Sequence, residues 1–304
     1  MKSGSGLYSS SNDLCAIMHS ILNRSIMPES TILRWLKPSA GMASDSIFSG
    51  MPWEMVRANN MTPKYPQMIE FHNKGGSSYG YNSQLTLIDQ YGIGIISLSA
   101  GDPYSELLLP TITYGALVPA LEEETRLQTR NNYVKVFESK PAPGAANTSL
   151  PVTLNITMDT GPGLIIQNLT RGKYDILKAF GLIYQQGFGN LTKLPQTVSS
   201  VTRMFPTDLR FREKDATGRE IIKEDWRITW DPVFETEKWN GTEIPVGGGS
   251  GKPDACGSWV NTDWSNYAGH AVDRVVFIKD AATGNAIGVE LNWLRANLTA
   301  VVQG

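Results

Sequence analysis

Apolar residues recur at Leu14, Ile17, Met18, Ile21 and Leu22, the i, i+3, i+4, i+7 spacing of a helix with one face toward a core. Ser11 or Asn12 is placed to cap it. A second, shorter helix is expected after Pro28, which suits a first helical position, through Ile32, Leu33, Trp35 and Leu36 to a stop at Pro38. A loop carrying Gly41, Gly50 and Pro52 follows. Strands are predicted at Met68 to Phe71, Gln84 to Asp89 and Ile93 to Ser99, the last two joined antiparallel through Asp89-Gln90-Tyr91-Gly92, where Gly92 can take a positive φ. Leu107, Leu108, Ile112, Leu117 and Leu121 then predict a long helix from Pro103 to about Arg126, with Glu122 to Glu124 as its solvated face.

After Thr129 the texture changes to alternating strands and turn signals, which places a domain boundary between residues 1–129 and 130–304. Val152, Leu154, Ile156 and Met158 alternate with Thr153, Asn155 and Thr157, and Trp226, Ile228 and Trp230 alternate in the same way. Two segments repeat one pattern, Phe211 to Gly218 and Phe277 to Gly284, each a strand entering an Asp/Thr/Gly turn and leaving as another strand. Short strands with Gly, Pro and Asn turns and little helix imply an antiparallel barrel or sandwich, so the fold class is α+β: helices on an antiparallel sheet, then an all-β domain.

With 304 residues, 41% apolar content and 18% charge, the chain is long enough for two ordinary globular cores. A net charge of −2 with no basic run gives no reason to expect nucleic acid or an anionic membrane as partner. The longest apolar stretches, Tyr91 to Ala100 and Leu107 to Pro119, fall short of a bilayer span, and Met1-Lys2-Ser3-Gly4 opens no signal-peptide core. Against that, Asn-x-Ser/Thr sequons occur at Asn23, Asn60, Asn147, Asn155, Asn168, Asn190, Asn240 and Asn297, where composition alone predicts about three. They point to ancestry in the secretory pathway, with each glycan needing a surface position. Cys15 and Cys256 leave both pairing and compartment open.

His19 and His270 have no Cys or acidic companions at zinc-ligand spacing, so neither a metal nor a cofactor is expected. Gly247 to Lys252 has Val246 where a phosphate loop begins with glycine, and Pro253 where it ends in Ser or Thr; it reads as a loop. The stretch Phe71-His72-Asn73-Lys74-Gly75-Gly76-Ser77, before the apolar run from Leu85 to Leu98, places a basic residue on a strand. By itself Lys74 reads as a solvated lysine ahead of a Gly-Gly-Ser turn, and His72, which alternates with it, as part of an exposed strand face.

Taken in order, Gly4-Ser5-Gly6-Leu7-Tyr8-Ser9-Ser10, Trp35-Leu36-Lys37-Pro38, Met51-Pro52-Trp53-Glu54-Met55, and Lys74-Gly75-Gly76-Ser77 with Tyr81-Asn82-Ser83 resemble the serine β-lactamase and penicillin-binding-protein-like family, in its fungal branch with an extra C-terminal β domain. The resemblance implies a serine acyl-transfer enzyme acting on a small acyl substrate: a β-lactam, peptide, ester or thioester. Lys74-Gly75-Gly76 matches the family's Lys-Thr-Gly strand with glycine for the hydroxyl residue. It implies roles for Lys74 as the cation beside the nucleophile, Gly76 as the small residue against which a carbonyl lies, and the Ser77 N–H as an oxyanion donor.

The family's Ser-x-x-Lys and Tyr-x-Asn elements occur nowhere in the 304 residues. In the family they precede the Gly-Leu-Tyr-Ser segment, so the resemblance implies that Met1 falls inside the catalytic domain and that this chain alone is inactive. Secretion is expected of intact relatives. The uncovered front of the domain leads to an expectation of poor solubility, self-association or capture of a missing N-terminal piece. The competing expectation is a non-catalytic binding protein that uses its C-terminal β domain.

Overall fold

The computed structural model describes residues 8–65, 67–101, 104–139, 150–182, 196–198, 201–229, 232–234 and 262–301, with the backbone alone at 104–110, 196–198 and 232–234. Two compact units divide at Arg126/Leu127.

In the first unit, α1 (Ser11–Leu22) is capped one residue earlier than the sequence suggests. Ser10 Oγ accepts from the Asp13 N–H and Asp13 Oδ2 accepts from the Ser10 N–H, a reciprocal box that selects Ser10 over Ser11 or Asn12. Met18 and Ile21 are its buried residues. α2 (Glu29–Trp35) begins just after Pro28. The expected loop around Gly41 and Gly50 is instead three strands, β1 (Ala40–Met42), β2 (Ser44–Ser49) and β3 (Glu54–Ala58), whose small polar residues hide their alternation. β4 (Ile69–Ser78), β5 (Tyr81–Ile88) and β6 (Ile93–Ala100) complete a six-stranded antiparallel sheet in the order β1-β2-β3-β4-β5-β6. Gly75-Gly76-Ser77 is strand rather than turn. The chain reverses at Tyr79-Gly80, where Gly80 takes φ +73°, and again at Gly92 with φ +64°.

Each face of this sheet buries its own cluster. Leu87, Met55 and Trp53 pack with Met18, Ile21, Ile32 and Leu36 under α1 and α2. Ile69, Phe71 and Ile88 pack with Val118 of α3 (Tyr104–Tyr133) on the other side. α1 approaches β6 closely at Gly94, where an added Cβ would lie 2.3 Å from the Met18 terminal methyl. The acidic patch of α3 is not one solvated face: Glu122 is buried and accepts from Tyr91 Oη, the Gln67 amide and Arg126 Nε. Glu123 binds outward, to Lys64 and Tyr65.

The second unit contains β7 (Val136–Ser139), β8 (Val152–Thr157), β9 (Leu164–Arg171), β10 (Tyr174–Asp175), β11 (Gln196–Val198), β12 (Thr202–Lys214), β13 (Glu220–Thr229), β14 (Pro232–Phe234), β15 (Asn266–Tyr267), β16 (His270–Ala271), β17 (Arg274–Asp280), β18 (Ala286–Leu291) and β19 (Ala296–Ala300). The large sheet runs β10-β9-β12-β13-β17-β18-β19-β7-β8, and β8 pairs again with β9, which closes it into an antiparallel barrel. Closure removes exposed edges, and at this strand number the interior is wide enough only for side chains. Phe137, Leu154, Ile156, Leu164, Met204, Trp226, Val275, Phe277, Val289 and Leu298 fill it. The stretch 176–182 is helical and adds Phe180, whose ring meets Trp293 edge-on. Both expected Asp/Thr/Gly hairpins form, with Gly218 and Gly284 at positive φ. The fold class is therefore α+β, with helices on an antiparallel sheet followed by an all-β barrel. No helix among the described residues is long and apolar enough to cross a membrane.

Candidate functional site

β4 is longer than its neighbour β3. The two pair from Ala58↔Ile69 to Glu54↔Asn73, whereas β4 stays paired with β5 as far as Ser78↔Tyr81. Among the described residues, no strand pairs with the other edge of β4 beyond Asn73. Lys74, Gly75, Gly76 and Ser77 all lie on this overhang. Lys74, Gly76 and Ser77, the three candidates from the sequence, thus sit together at a place where backbone and cation are both accessible.

Their side-chain environments differ. Lys74 Nζ donates to Glu54 Oε1 at 2.7 Å and to the Gly75 carbonyl at 3.0 Å; both side chains of the ion pair are exposed, at 44% and 62%. A Cβ at Gly76 would lie 2.8 Å from Ser83 Oγ, which donates to the Gly76 carbonyl at 3.1 Å, so a larger residue at 76 must displace that hydroxyl. A Cβ at Gly75 would meet only Glu54 Oε2, at 3.7 Å; there the missing side chain follows from no crowding. Ser77 Oγ donates across the hairpin to Asn82 Oδ1 at 2.8 Å.

His72 corrects the sequence reading. It shares a face with Lys74, as the period of two requires, but that face is covered at residue 72 and the ring is buried. Nε2 donates to the Leu36 carbonyl at 2.8 Å and lies 3.2 Å from Glu70 Oε1, while the ring edge meets Trp53. Burial opposes a charge on His72, yet the bonds to Glu70 and Leu36 raise its pKa above the usual value. The bond from His72, aided by Arg57 and opposed by burial, lowers Glu70 to about 2. His72 thus ties β4 to α2 and does not face the overhang.

Sequence reasoning missed Glu54 as the partner of Lys74, because that segment read as loop. It also missed a polar chain on the opposite face. There Thr86 Oγ1 donates to Asn73 Oδ1 at 2.6 Å and lies 2.5 Å from Tyr114 Oη, while the Gln84 amide reaches Asn73 at 3.3 Å. This chain fixes Asn73, the last β4 residue before the overhang, against α3.

Elsewhere, Asn23, Asn60, Asn168 and Asn297 are exposed and Asn155 is half-buried. Asn147, Asn190, Asn240, Cys256, the run Gly247 to Lys252 and the segment Gly4 to Leu7 lie outside the described residues. The described cysteine, Cys15, is exposed and free. His19 meets Asn23 and His270 is exposed.

Residues 125–302 match the family model described as "Beta-lactamase-like-like, C-terminal domain". A "Beta-lactamase-like protein" of Arthroderma benhamiae is 36% identical over 304 residues, 97% of this chain and 49% of the relative. "Probable hydrolase clz13" of Cochliobolus lunatus and "Probable hydrolase M10" of a Phoma species are each 25% identical over 98% of this chain, and over 44% and 46% of their own lengths. The chain spans about half the length of the curated relatives it matches.

Proposed function

Because this chain belongs to the β-lactamase-like family, we propose that it forms part of a β-lactamase-related serine hydrolase or acyl-transferase and supplies one wall of the acyl-transfer site. The β4 overhang carries this reading: it brings a cation, a glycine and a serine N–H along one accessible strand edge. In it, Lys74 meets negative charge that develops as a serine oxygen adds to the acyl carbon. Gly76 lets the carbonyl lie flat against the strand, and the Ser77 N–H donates to its oxygen. The tetrahedral species then expels its leaving group, and water or another acceptor takes the acyl group from the serine. The relatives named as probable hydrolases support the class of chemistry. The substrate is a small acyl compound: a β-lactam, ester, thioester or peptide.

These 304 residues contain neither Ser-x-x-Lys nor Tyr-x-Asn, so we assign them no catalysis on their own. Losing one oxyanion donor costs about a hundredfold to a thousandfold in rate, whereas losing the nucleophile removes the covalent route. The chain is therefore expected to take no stoichiometric label from a fluorophosphonate or a fluorescent penicillin and to leave a chromogenic ester intact. Mass-spectrometric detection of any serine acylated one-to-one would overturn this reading. The exposed sequons support secretion of the intact enzyme, which a glycosidase-induced mobility shift of protein from a secretory host would test.

A further inference from the structure

The outer wall of the barrel is divided between two chemistries, and we propose that one part is a carbohydrate-bearing face, with N-linked glycans on Asn168 and Asn297. On β12, β13, β17 and β18 outward side chains are charged and tied across strands: Lys223 lies 2.9 Å from both Glu213 and Glu290, and Arg274 donates to Asp225 at 2.7 Å. On β19, β7, β8 and β9, four consecutive strands of the sheet, Asn and Thr predominate instead. Asn155, Asn168 and Asn297 all stand there. Each is followed two residues on by a threonine, Thr157, Thr170 or Thr299, which a period of two puts on the same face. Asn155 lies between Leu154 and Ile156, and Asn297 between Ala296 and Leu298, all four of them interior residues. A residue so flanked in a closed barrel points out of it, whatever lies elsewhere in the chain.

Asn168 reaches this face through a bulge. Leu164 and Ile166 are interior residues of β9, so an unbroken period of two would turn residue 168 inward. Instead Asn155 pairs with Asn168 and Ile156 with Ile166, which leaves Gln167 as an extra residue and resets the alternation. Asn168 is exposed as a result and Leu169 is buried. The same register sets two sequon asparagines directly opposite each other across β8 and β9, the half-buried Asn155 and the exposed Asn168. Asn297, also exposed, stands on β19, two strands from β8. A glycan is bulky and needs its asparagine at a surface, and Asn168 and Asn297 meet that need with the sequon hydroxyl beside them. The sugar comes from a polyisoprenyl-diphosphate oligosaccharide of the secretory pathway. The asparagine Nδ2 forms a bond to sugar C1, the C1–O bond to the diphosphate breaks with its electron pair staying on that oxygen, and the amide gives up one proton. This inference rests on the secretion expected of the intact enzyme and not on its hydrolase chemistry.

The test is expression of the 304-residue chain behind a supplied secretion leader in a eukaryotic host. Glycopeptide mass spectrometry follows, together with enzymatic glycan release in heavy-oxygen water, which marks each formerly glycosylated asparagine as a labelled aspartate. Asn168 and Asn297 should both be marked in the folded, secreted protein. Thr170→Ala and Thr299→Ala leave the asparagines in place and should each abolish the mark at the neighbouring site. Thr170→Ser and Thr299→Ser should retain it, a split between alanine and serine that strand packing alone would not produce. Circular dichroism and melting establish that each variant is folded. Either asparagine unmarked in the folded, secreted chain, marks found only in aggregated or retained protein, or marks that survive the alanine variants would each overturn the proposal. Because the leader is supplied, empty sites count against this face and leave secretion of the intact enzyme to its own test.

Discussion

Replacing Glu70 with glutamine keeps the shape of the side chain and removes one charge, at a point where a single carboxylate holds both Arg57 and His72. Arg57 Nε donates to Oε2 at 2.7 Å, and His72 Nε2 lies 3.2 Å from Oε1. The His72 bond, more than the Arg57 bond, keeps Glu70 near 2 instead of 4.5 in spite of its partial burial. At ~1.4 kcal/mol per pH unit the difference is worth at most about 3 kcal/mol. With the Arg57 and Glu70 side chains 31% and 21% exposed, solvent screening leaves about 1–2 kcal/mol. A depressed carboxyl stabilises the fold above its unfolded value, so this contribution is full above pH 4.5 and vanishes as pH falls through about 2. His72 works in the opposite sense. Its raised pKa gives stability that is complete below 6.5 and is lost as pH rises through the higher folded value. Urea denaturation of wild type and Glu70→Gln across a pH series should therefore give a destabilisation that peaks between pH 4.5 and 6.5. It should shrink toward zero in acid, and in alkali fall to what the Arg57 pair retains. A destabilisation that is flat with pH, or none at pH 6, refutes the reasoning.

Phe277 is fully buried among the rings of Tyr133, Trp226 and Phe137, with centroids at 5.0, 5.4 and 6.1 Å. Phe277→Ala should cost about 3–5 kcal/mol by chemical denaturation, whereas a loss below about 1 kcal/mol would mean that the barrel interior repacks freely. Glu224→Ala takes from Lys279 Nζ the carboxylate 3.1 Å away, leaving its bond to the Tyr133 hydroxyl at 2.8 Å, and removes the acceptor of that hydroxyl's own proton. The expected cost is about 3–5 kcal/mol, largely restored when Lys279→Met accompanies Glu224→Met. Tyr133 is raised by burial and then by Glu224, so ultraviolet titration of Glu224→Ala should show its phenol ionising at lower pH than in wild type. Gly163 and Gly218 both have positive φ, but an added Cβ at Gly163 lies 2.6 Å from the Met204 carbonyl oxygen and at Gly218 meets nothing within 4 Å. Gly218→Ala should lose about 1 kcal/mol of stability and Gly163→Ala distinctly more; equal losses would show that the steric term is absent.

What the sequence revealed and what it concealed divide along the separation of the partners. The two barrel hairpins were legible because their chemistry is local: Asp215 accepts from the Thr217 N–H and hydroxyl, and Asp280 from those of Thr283, two or three residues on. Alternation along the strands gave antiparallel β structure but could not distinguish a barrel from a sandwich. That choice rests on pairings such as Leu298↔Ser139, which close the ring between the first strand of the unit and its last. Glu122 read as solvated because its partners Gln67 and Tyr91 arrive from other elements. The same limit applied at the site. A period of two correctly set His72 and Lys74 on one face, yet the Leu36 carbonyl, brought over by α2, buries the first and leaves the second open. The motif located the cation without its counter-ion, since Glu54 reaches Lys74 only because β3 ends in register with Asn73. Under the proposed acyl-transfer reading, an acyl substrate whose developing charge meets Lys74 would have to compete with a carboxylate 2.7 Å away. Both partners are exposed, so the ion pair is weak, of the order of 0–1 kcal/mol, and yields readily to a well-oriented oxyanion. Glu54 therefore holds the lysine over the strand edge at little energetic cost to the charge that would replace it.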